Sequence, residues 1–285
     1  MRLLFLGDIV GRSGRDAIAA HLPALRQACA LDFVVANGEN AASGFGITDK
    51  ICASLFEAGV DVVTLGDHAW DRPEIVEFIE KEPRLLRPAN YPSGLPGRGS
   101  RIYETRTGKK ALVVNLLGQV FMGEFDNPFD AVNKVLKDVI LGRTVDCVFV
   151  DMHCEATSEK MAMGHFCDGR ASLVAGTHTH VPTADAQILP GGTGFQSDAG
   201  MCGDYNSVIG MDKAEPLTRF TRKTKTGRFE PALGEGTLCG VFVETDPKTG
   251  LALSIEPVRI GGRLSQALPL GLRTLEAPAK AAATR

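Results

Sequence analysis

Two histidines one residue apart, His178 and His180, close the apolar approach "RASLVAGTHTH". The chain has 6 histidines, and two others, His68 in "VDVVTLGDH" and His153 in "VDCVFVDMH", also stand where apolar runs end. Carboxylates and an amide occupy equivalent points: Asp8 after "RLLFLG", Glu39 and Asn40 in "LDFVVANGEN", and Asp67 beside His68. Taken singly, each has an ordinary reading. An Asp after a strand is most often a turn residue, and an H-x-H pair is often just two polar neighbours on one strand. Five placements at the same topological point are a different matter. Imidazole, carboxylate and amide without clustered cysteine suit Mn²⁺, Fe²⁺ or Zn²⁺, and the candidates are too many for one ion. They fit two ions about 3.5–4 Å apart bridged by Glu39, the arrangement used for in-line displacement at phosphorus. In that chemistry a metal-bridging hydroxide attacks, and a nearby acid protonates the leaving alkoxide.

Such convergence requires strands whose carboxyl ends share one edge, because ligands of open α/β sheets bind there. The sequence supplies them. "RLLFLGD", "LDFVVANGEN", "VDVVTLGDH", "KALVVNLLGQ", "VDCVFVDMH" and "RASLVAGTHTH" read as strands. Helical spacing alternates with them in "GRDAIAAHLPALRQACA", where Pro23 predicts a break or kink, and in "ITDKICASLFEAG", with Thr48 as N-cap and Gly59 as stop. "PEIVEFIEKEP", starting on Pro73, and "FDAVNKVLKDVI" are the other helices. Residues 87–100 read as loop, and "LPGGTGFQSDAGMCGDYNSVIG" as a long glycine-rich loop able to wall a pocket. "GTLCGVFVETD" and "LALSIEPVRI" give the last third an antiparallel character. The expectation is one α/β domain over residues 1–272 with a largely parallel sheet, then a frayed tail over 273–285.

Composition narrows the setting. Hydrophobic residues make up 44% and charged residues 23% of 285, a globular balance. A formal charge of −3 argues against an extended nucleic-acid surface. No apolar run approaches a membrane span, and 7 scattered cysteines without a C-x-x-C pair suit reduced thiols in a cytoplasmic protein. A homo-oligomer is compatible with all of this. His21 falls mid-helix and His165 follows no strand, so both read as structural or surface residues. Asp151 is placed to orient His153, Thr177 and Thr179 to meet phosphate, and Arg12 and Arg15 to begin a solvated helix.

The ordered series "GDIVG", "NGEN", "GDH", "DMH" and "GTHTH" resembles the motifs of the calcineurin-like metallophosphoesterases. More narrowly it is similar to the YmdB-like branch, whose second motif is centred on glutamate. "ENAASGFGIT", "RPANYP", "EATSEK" and "SDAGMCGDYNSVIG" extend the match over most of the chain. The resemblance implies a four-layer αββα sandwich with a dinuclear iron or manganese site at the strand ends (zinc remains compatible), and phosphodiesterase activity on small cyclic nucleotides, 2',3' or 3',5'. It places Asp8, Glu39, Asn40 and His180 on one metal, and Glu39, Asp67, His153 and His178 on the other, with His68 as proton donor. Two departures stand out: Val10 where the commoner pattern has His, and Asp67 where the family has Asn. A phosphomonoesterase using the same centre, or a regulator that binds a nucleotide or partner with slow catalysis, fits the residues too. A metal-dependent amidohydrolase fits less well, since its H-x-H lies on an early strand.

Overall fold

The computed structural model describes residues 1–269. The expected frayed tail and residues 270–272 lie outside them. The chain runs β1 (Arg2–Leu6), β2 (Asp8–Ile9), α1 (Gly11–Ala28), β3 (Phe33–Asn37), α2 (Asp49–Ala58), β4 (Val62–Thr64), α3 (Ile75–Lys81) and β5 (Leu85–Leu86). Next come β6 (Ser100–Glu104), β7 (Lys110–Leu117), α4 (Pro128–Leu136), β8 (Cys147–His153), α5 (Thr157–Phe166), β9 (Leu173–Thr177), β10 (Gln187–Ile188) and β11 (Gly194–Gln196). β12 (Met201–Cys202), α6 (Ala214–Arg222), β13 (Leu238–Thr245) and β14 (Ala252–Ile260) complete it. One sheet has the order β14-β13-β1-β3-β4-β5 and the other β10-β11-β9-β8-β7-β6.

The period-two alternation of strand side chains makes the layers. Leu3, Phe5, Phe33, Val35 and Val62 of the first sheet meet Ala111, Val113, Phe149, Leu173 and Ala175 of the second in one buried cluster. The Phe5 and Phe149 rings lie 4.6 Å apart. The intervening residues face outward. Leu4, Leu6, Val34, Ala36 and Val63 pack with α1, α2 and α3, while Leu112, Val114, Val148, Val150 and Val174 pack with α4 and α5. The result is a four-layer αββα sandwich, as expected. Burying each large apolar side chain contributes about 1.5–3 kcal/mol, so both faces of each sheet are stabilised. The antiparallel last third does not form a sheet of its own: β13 pairs antiparallel with β1 and with β14.

Thr48 caps α2, accepting from the Ile51 N–H, and Gly59 ends it at φ 109°. Pro23 does not break α1, which runs unbroken from Gly11 to Ala28. Pro23 and Ala19 are both exposed, so the carbonyl freed by the missing N–H faces water. α3 begins at Ile75 rather than at Pro73, and α4 ends at Leu136, short of the expected 140. The long glycine-rich loop contains β11, which joins the second sheet beside β9, and β12.

The first strand stops at Leu6, and Asp8 opens β2, which pairs with β12 in register Met201↔Asp8. Gly7 makes this possible, since a Cβ there would stand 1.8 Å from the Gly200 carbonyl oxygen. The alternation that sends Phe149 between the sheets sends Asp151 and His153 the same way, together with Asn37, Thr64 and Thr177. The inter-sheet core therefore ends in a buried polar layer at the carboxyl ends of the strands.

Candidate metal centre

Four donors converge above that layer. Glu39, Asp67, His153 and His178 each offer a ligand atom, and these atoms lie within 4.8 Å of one another. His153 Nε2 is 3.2 Å from Glu39 Oε1, 3.0 Å from Asp67 Oδ1 and 3.1 Å from His178 Nδ1. Gly66 clears the space: a Cβ there would fall 2.2 Å from Glu39 Oε2 and 2.4 Å from His153 Nε2. The other expected residues flank this group. The His178 N–H donates to Asp8 Oδ2 at 3.0 Å, and Asp8 Oδ1 is 3.7 Å from His153 Nδ1. His180 Nε2 faces Asn40 Oδ1 at 3.2 Å, while Asn40 Nδ2 donates to the Gly44 carbonyl.

The ring partners fix which nitrogens point inward. His153 Nδ1–H donates to Thr177 Oγ1 at 2.9 Å, and that hydroxyl donates to Asp151 Oδ1 at 2.7 Å. His180 Nδ1–H donates to the Ile209 carbonyl at 2.7 Å. In both rings this leaves Nε2 as the nitrogen available to a metal. His178 turns Nδ1 inward instead, with Nε2 3.4 Å from Glu155 Oε2. Asp151 thus orients His153 as anticipated, though through Thr177. Thr64 and Asn37 also hold the Asp151 carboxylate (2.6 and 3.0 Å). Burial pushes the Asp151 carboxyl up to about 6 against the pull of His153 and the two threonine hydroxyls.

The electrostatics fit divalent cations. Burial raises the Asp8 carboxyl above its ordinary range, and His180 and His153 do not compensate; its Oδ1 is buried without a hydrogen-bond partner. A cation beside that oxygen would restore the charged form. Burial also works against the charged forms of Glu39 and Asp67, but contacts with the histidines outweigh it and hold both low. The same contacts outweigh burial at His153 and raise it well above its usual value. The histidines and carboxylates thus offset one another's charge at the point where each could instead meet a cation.

His68 sits beside the cluster. Its backbone N–H donates to Glu39 Oε2 at 3.2 Å, its Nδ1 pairs with Asp71 Oδ2 at 2.9 Å, and the Phe45 ring stands edge-on 5.1 Å away. Burial lowers its pKa, but Glu39, Asp67 and Asp71 raise it further, so the net shift is upward.

The model of the YmdB-like protein family matches residues 4–258. The chain belongs to this family. A 2',3'-cyclic-nucleotide 2'-phosphodiesterase of Bacillus subtilis is 44% identical over 260 residues, 91% of this chain and 97% of that protein. A hypothetical protein from Thermus thermophilus superposes with a TM-score of 0.85 at 42% identity, covering 92% of this chain and 100% of the other. A novel phosphatase from Mycoplasma pneumoniae gives 0.84 at 33% identity over 95% and 96% of the two chains.

Within this YmdB-like frame, the stretches "EATSEK" and "SDAGMCGDYNSVIG" supply positioning residues whose roles their side-chain types do not announce. Lys160 and Asp198 form an ion pair at 2.7 Å, each side chain 1% exposed. Asp198 Oδ2 also accepts from the N–H and hydroxyl of Thr179 (3.1 and 2.8 Å), and Oδ1 accepts from the Gly200 N–H. One carboxylate thereby anchors the turn in which His178 and His180 adopt φ of 96° and 65°. The Thr177 and Thr179 hydroxyls donate to Asp151 and Asp198 in these networks. Arg12 pairs with Asp16 in the open, and Arg15 donates to the Ala41 carbonyl, so the start of α1 is structural. His21 lies within α1 and His165 on the exposed side of α5, away from the centre. Lys160→Met strands a buried carboxylate, and urea unfolding should show a loss of about 3–5 kcal/mol. Lys160→Met with Asp198→Asn should recover part of it. An unchanged unfolding midpoint in the single variant would show that the pair does not hold the turn.

Proposed function

We propose that this protein is a metal-dependent phosphodiesterase that opens 2',3'-cyclic nucleotides with two divalent ions, iron or manganese, held by Asp8, Glu39, Asn40, Asp67, His153, His178 and His180. The observation that carries the reading is the convergence of four donors beside the orphaned Asp8 oxygen, with an acid–carboxylate pair, His68 and Asp71, adjacent. The Bacillus subtilis relative acts on the substrate class that its name states. When bound, the ions supply an activated water and neutralise charge on the phosphoryl oxygens.

The protein's own residues perform the rest. Glu39 belongs to the four-donor cluster and its charge is felt at Asp8, so its two oxygens could serve both ions. Thr177 and the Ile209 carbonyl keep His153 and His180 presenting Nε2. Asp71 holds the His68 ring, and although burial opposes it, the surrounding carboxylates shift the ring toward its protonated form. Its Nε2–H is then the proton delivered to the departing 2'-oxygen of the ribose. The side chain of His68 is partly open to solvent, so the proton is replaced from water. The 7 cysteines are all free and buried, which supports a cytoplasmic setting, and among the described residues no helix is long and apolar enough to cross a membrane.

Fully loaded protein should contain two ions per chain and convert 2',3'-cyclic AMP to the 3'-phosphate faster than it cleaves a phosphomonoester. One ion per chain at full activity, or preference for the monoester, would overturn the reading. Metal affinity should also weaken as pH is lowered. In the metal-free protein, protonated His153 contributes stability that is fully present below the unfolded value of about 6.5 and is lost as pH rises through its raised folded value. Binding requires the neutral ring, so calorimetry with Mn²⁺ should show affinity already declining above pH about 6.5, where a free histidine would still be neutral. A decline confined to lower pH would mean His153 is not a ligand.

A further inference from the structure

The overall charge of −3 conceals a segment of the opposite sign: residues 213–228 contain six lysines and arginines and one carboxylate, Glu215. They form an excursion made of α6 and the turn after it, and its two ends meet. The Asp212 N–H donates to the Glu230 carbonyl, Met211 bridges to Pro231, and the Ala232 N–H donates to the Gly210 carbonyl. Internal contacts use a few of the charges. Glu215 takes Arg219 (2.7 Å) and the N–H and hydroxyl of Thr226. Arg219 also lies over the Phe229 ring, and Lys213 donates to Asn206. Arg222, Lys223, Lys225 and Arg228 remain exposed, with no partner among the described residues. The Phe220 ring beside them is 80% exposed.

The root of this excursion borders the metal centre. It follows Ile209, whose carbonyl holds His180. Ile209 is at φ 47°, a conformation β-branched residues rarely adopt and one that tends to accompany functional sites. The root also packs on the loops that carry Asp8 and Asn40. A Cβ on Gly11 would lie 2.7 Å from Pro231 Cβ, and one on Gly44 2.8 Å from Met211 Cε.

We propose that the excursion binds the strand of an RNA whose 3' end, a 2',3'-cyclic phosphate, enters the metal centre. This rests on the phosphodiesterase reading above and extends its substrate class from mononucleotides to RNA termini. α6 is nine residues long, which at about 1.5 Å per residue spans a few nucleotides. Unpaired cations meet phosphates, and the open Phe220 face offers a stacking surface for a base. In the reaction, water adds to phosphorus and the bond to the 2'-oxygen breaks. The 2'-oxygen takes a proton, leaving a 3'-phosphate and a free 2'-hydroxyl, and nothing is oxidised or reduced. An anionic membrane is the less favoured partner. Leu217 and Phe220 are the large apolar side chains that α6 exposes, too few for interfacial binding, which scales with buried apolar area.

The test compares an RNA octamer ending in a 2',3'-cyclic phosphate with 2',3'-cyclic AMP, using metal-loaded protein. The octamer should show the lower KM. Raising salt from about 50 to 200 mM should weaken it by about 20–50-fold, as expected for three to four neutralised phosphates on a single strand. Replacing Arg222, Lys223, Lys225 and Arg228 together by Gln should raise the octamer KM at least about tenfold and remove most of the salt dependence, with kcat retained. All four side chains are exposed, and turnover of cyclic AMP reports that the variant is folded. Equal KM values for the two substrates, or an octamer KM unmoved by the substitutions, overturn the proposal. So does loss of binding to phosphatidylglycerol vesicles in the variant while octamer kinetics stay unchanged. Fluorescence anisotropy with the 3'-phosphate octamer separates the two layers of argument. Binding that depends on the four cations, without cleavage of any cyclic end, sustains the RNA surface and removes the phosphodiesterase reading.

Discussion

His68→Ala should keep its full metal content yet lose about 10²–10⁴-fold in turnover on a cyclic nucleotide. The two halves of this expectation have separate grounds. Metal is retained because the ring is not among the converging donors. Its Nδ1 is engaged by Asp71 at 2.9 Å, and its Nε2 is 3.6 Å from Asp67 Oδ2. Turnover falls because the ribose 2'-oxygen is a poor leaving group until it is protonated. A p-nitrophenyl phosphodiester departs without that help, so its hydrolysis should slow far less. Equal losses on the two substrates, or disappearance of an ion, would defeat the assignment. The pH profile gives a second readout. Burial lowers the His68 pKa, while Glu39, Asp67 and Asp71 raise it further. The acid form is lost as pH rises through that raised value, which sets the alkaline limb of the profile. Asp71→Asn removes one of the raising contacts, so the alkaline limb should move to lower pH. A limb that stays in place would mean that His68 does not supply the proton.

The parts of this molecule that were legible in the sequence are those where burial on both sides leaves a pattern. Phe149 and Val150 must be apolar because each faces a different packed layer, and the run stops where Asp151 and His153 begin the polar layer. The strand ends were therefore readable to within a few residues, and with them the polar residues that stand there. α5 and α6 left no such pattern. α5 buries Lys160 and Glu159 beside Met163, because its ion pair and its hold on the Gln119 N–H take the place of apolar packing. α6 turns Leu217 and Phe220 to solvent, so its periodicity points away from any core. β2 and β12 are two residues each, too short for any period to register. The contribution of Ile209 is a backbone carbonyl in a left-handed turn, which side-chain identity does not encode. The whole-chain charge of −3 likewise carries no trace of the local basic character of residues 213–228, because acidic residues elsewhere offset it.

Asp67→Asn should weaken the binding of one ion by about tenfold or more while raising turnover once metal is saturating. The family resemblance places Asn at this position, and Asp67 here stands in the first ring of donors, its Oδ1 3.0 Å from His153 Nε2 and 3.4 Å from His178 Nδ1. Burial opposes its ionisation, but hydrogen bonds from both histidines hold its carboxyl far below the usual range, so it is a full negative charge. Two divalent ions bring four positive charges, and Asp8, Glu39 and the attacking hydroxide would remove three. Asp67 would remove the last, whereas Asn leaves one uncompensated. A neutral centre grips a hard cation more tightly, since carboxylate is the stronger ligand. It also attracts an anionic phosphodiester less and acidifies the attacking water less. The Asn variant should therefore reach its active form at lower pH, with its acidic limb displaced downward. A second effect runs the other way and decides the conditions of measurement. Asp67 also raises the pKa of His153 in the metal-free protein, so removing it eases the competition between proton and metal at low pH. As pH rises the His153 ring gives up its proton and the lost ligand dominates, which makes the alkaline side, about pH 8, the place to compare affinities. The pH–rate profiles belong at saturating Mn²⁺. If the Asn variant binds metal as tightly as the parent near pH 8 and its acidic limb does not move, Asp67 does not touch the metal, and its closeness to His153 is an ion pair of the metal-free protein alone.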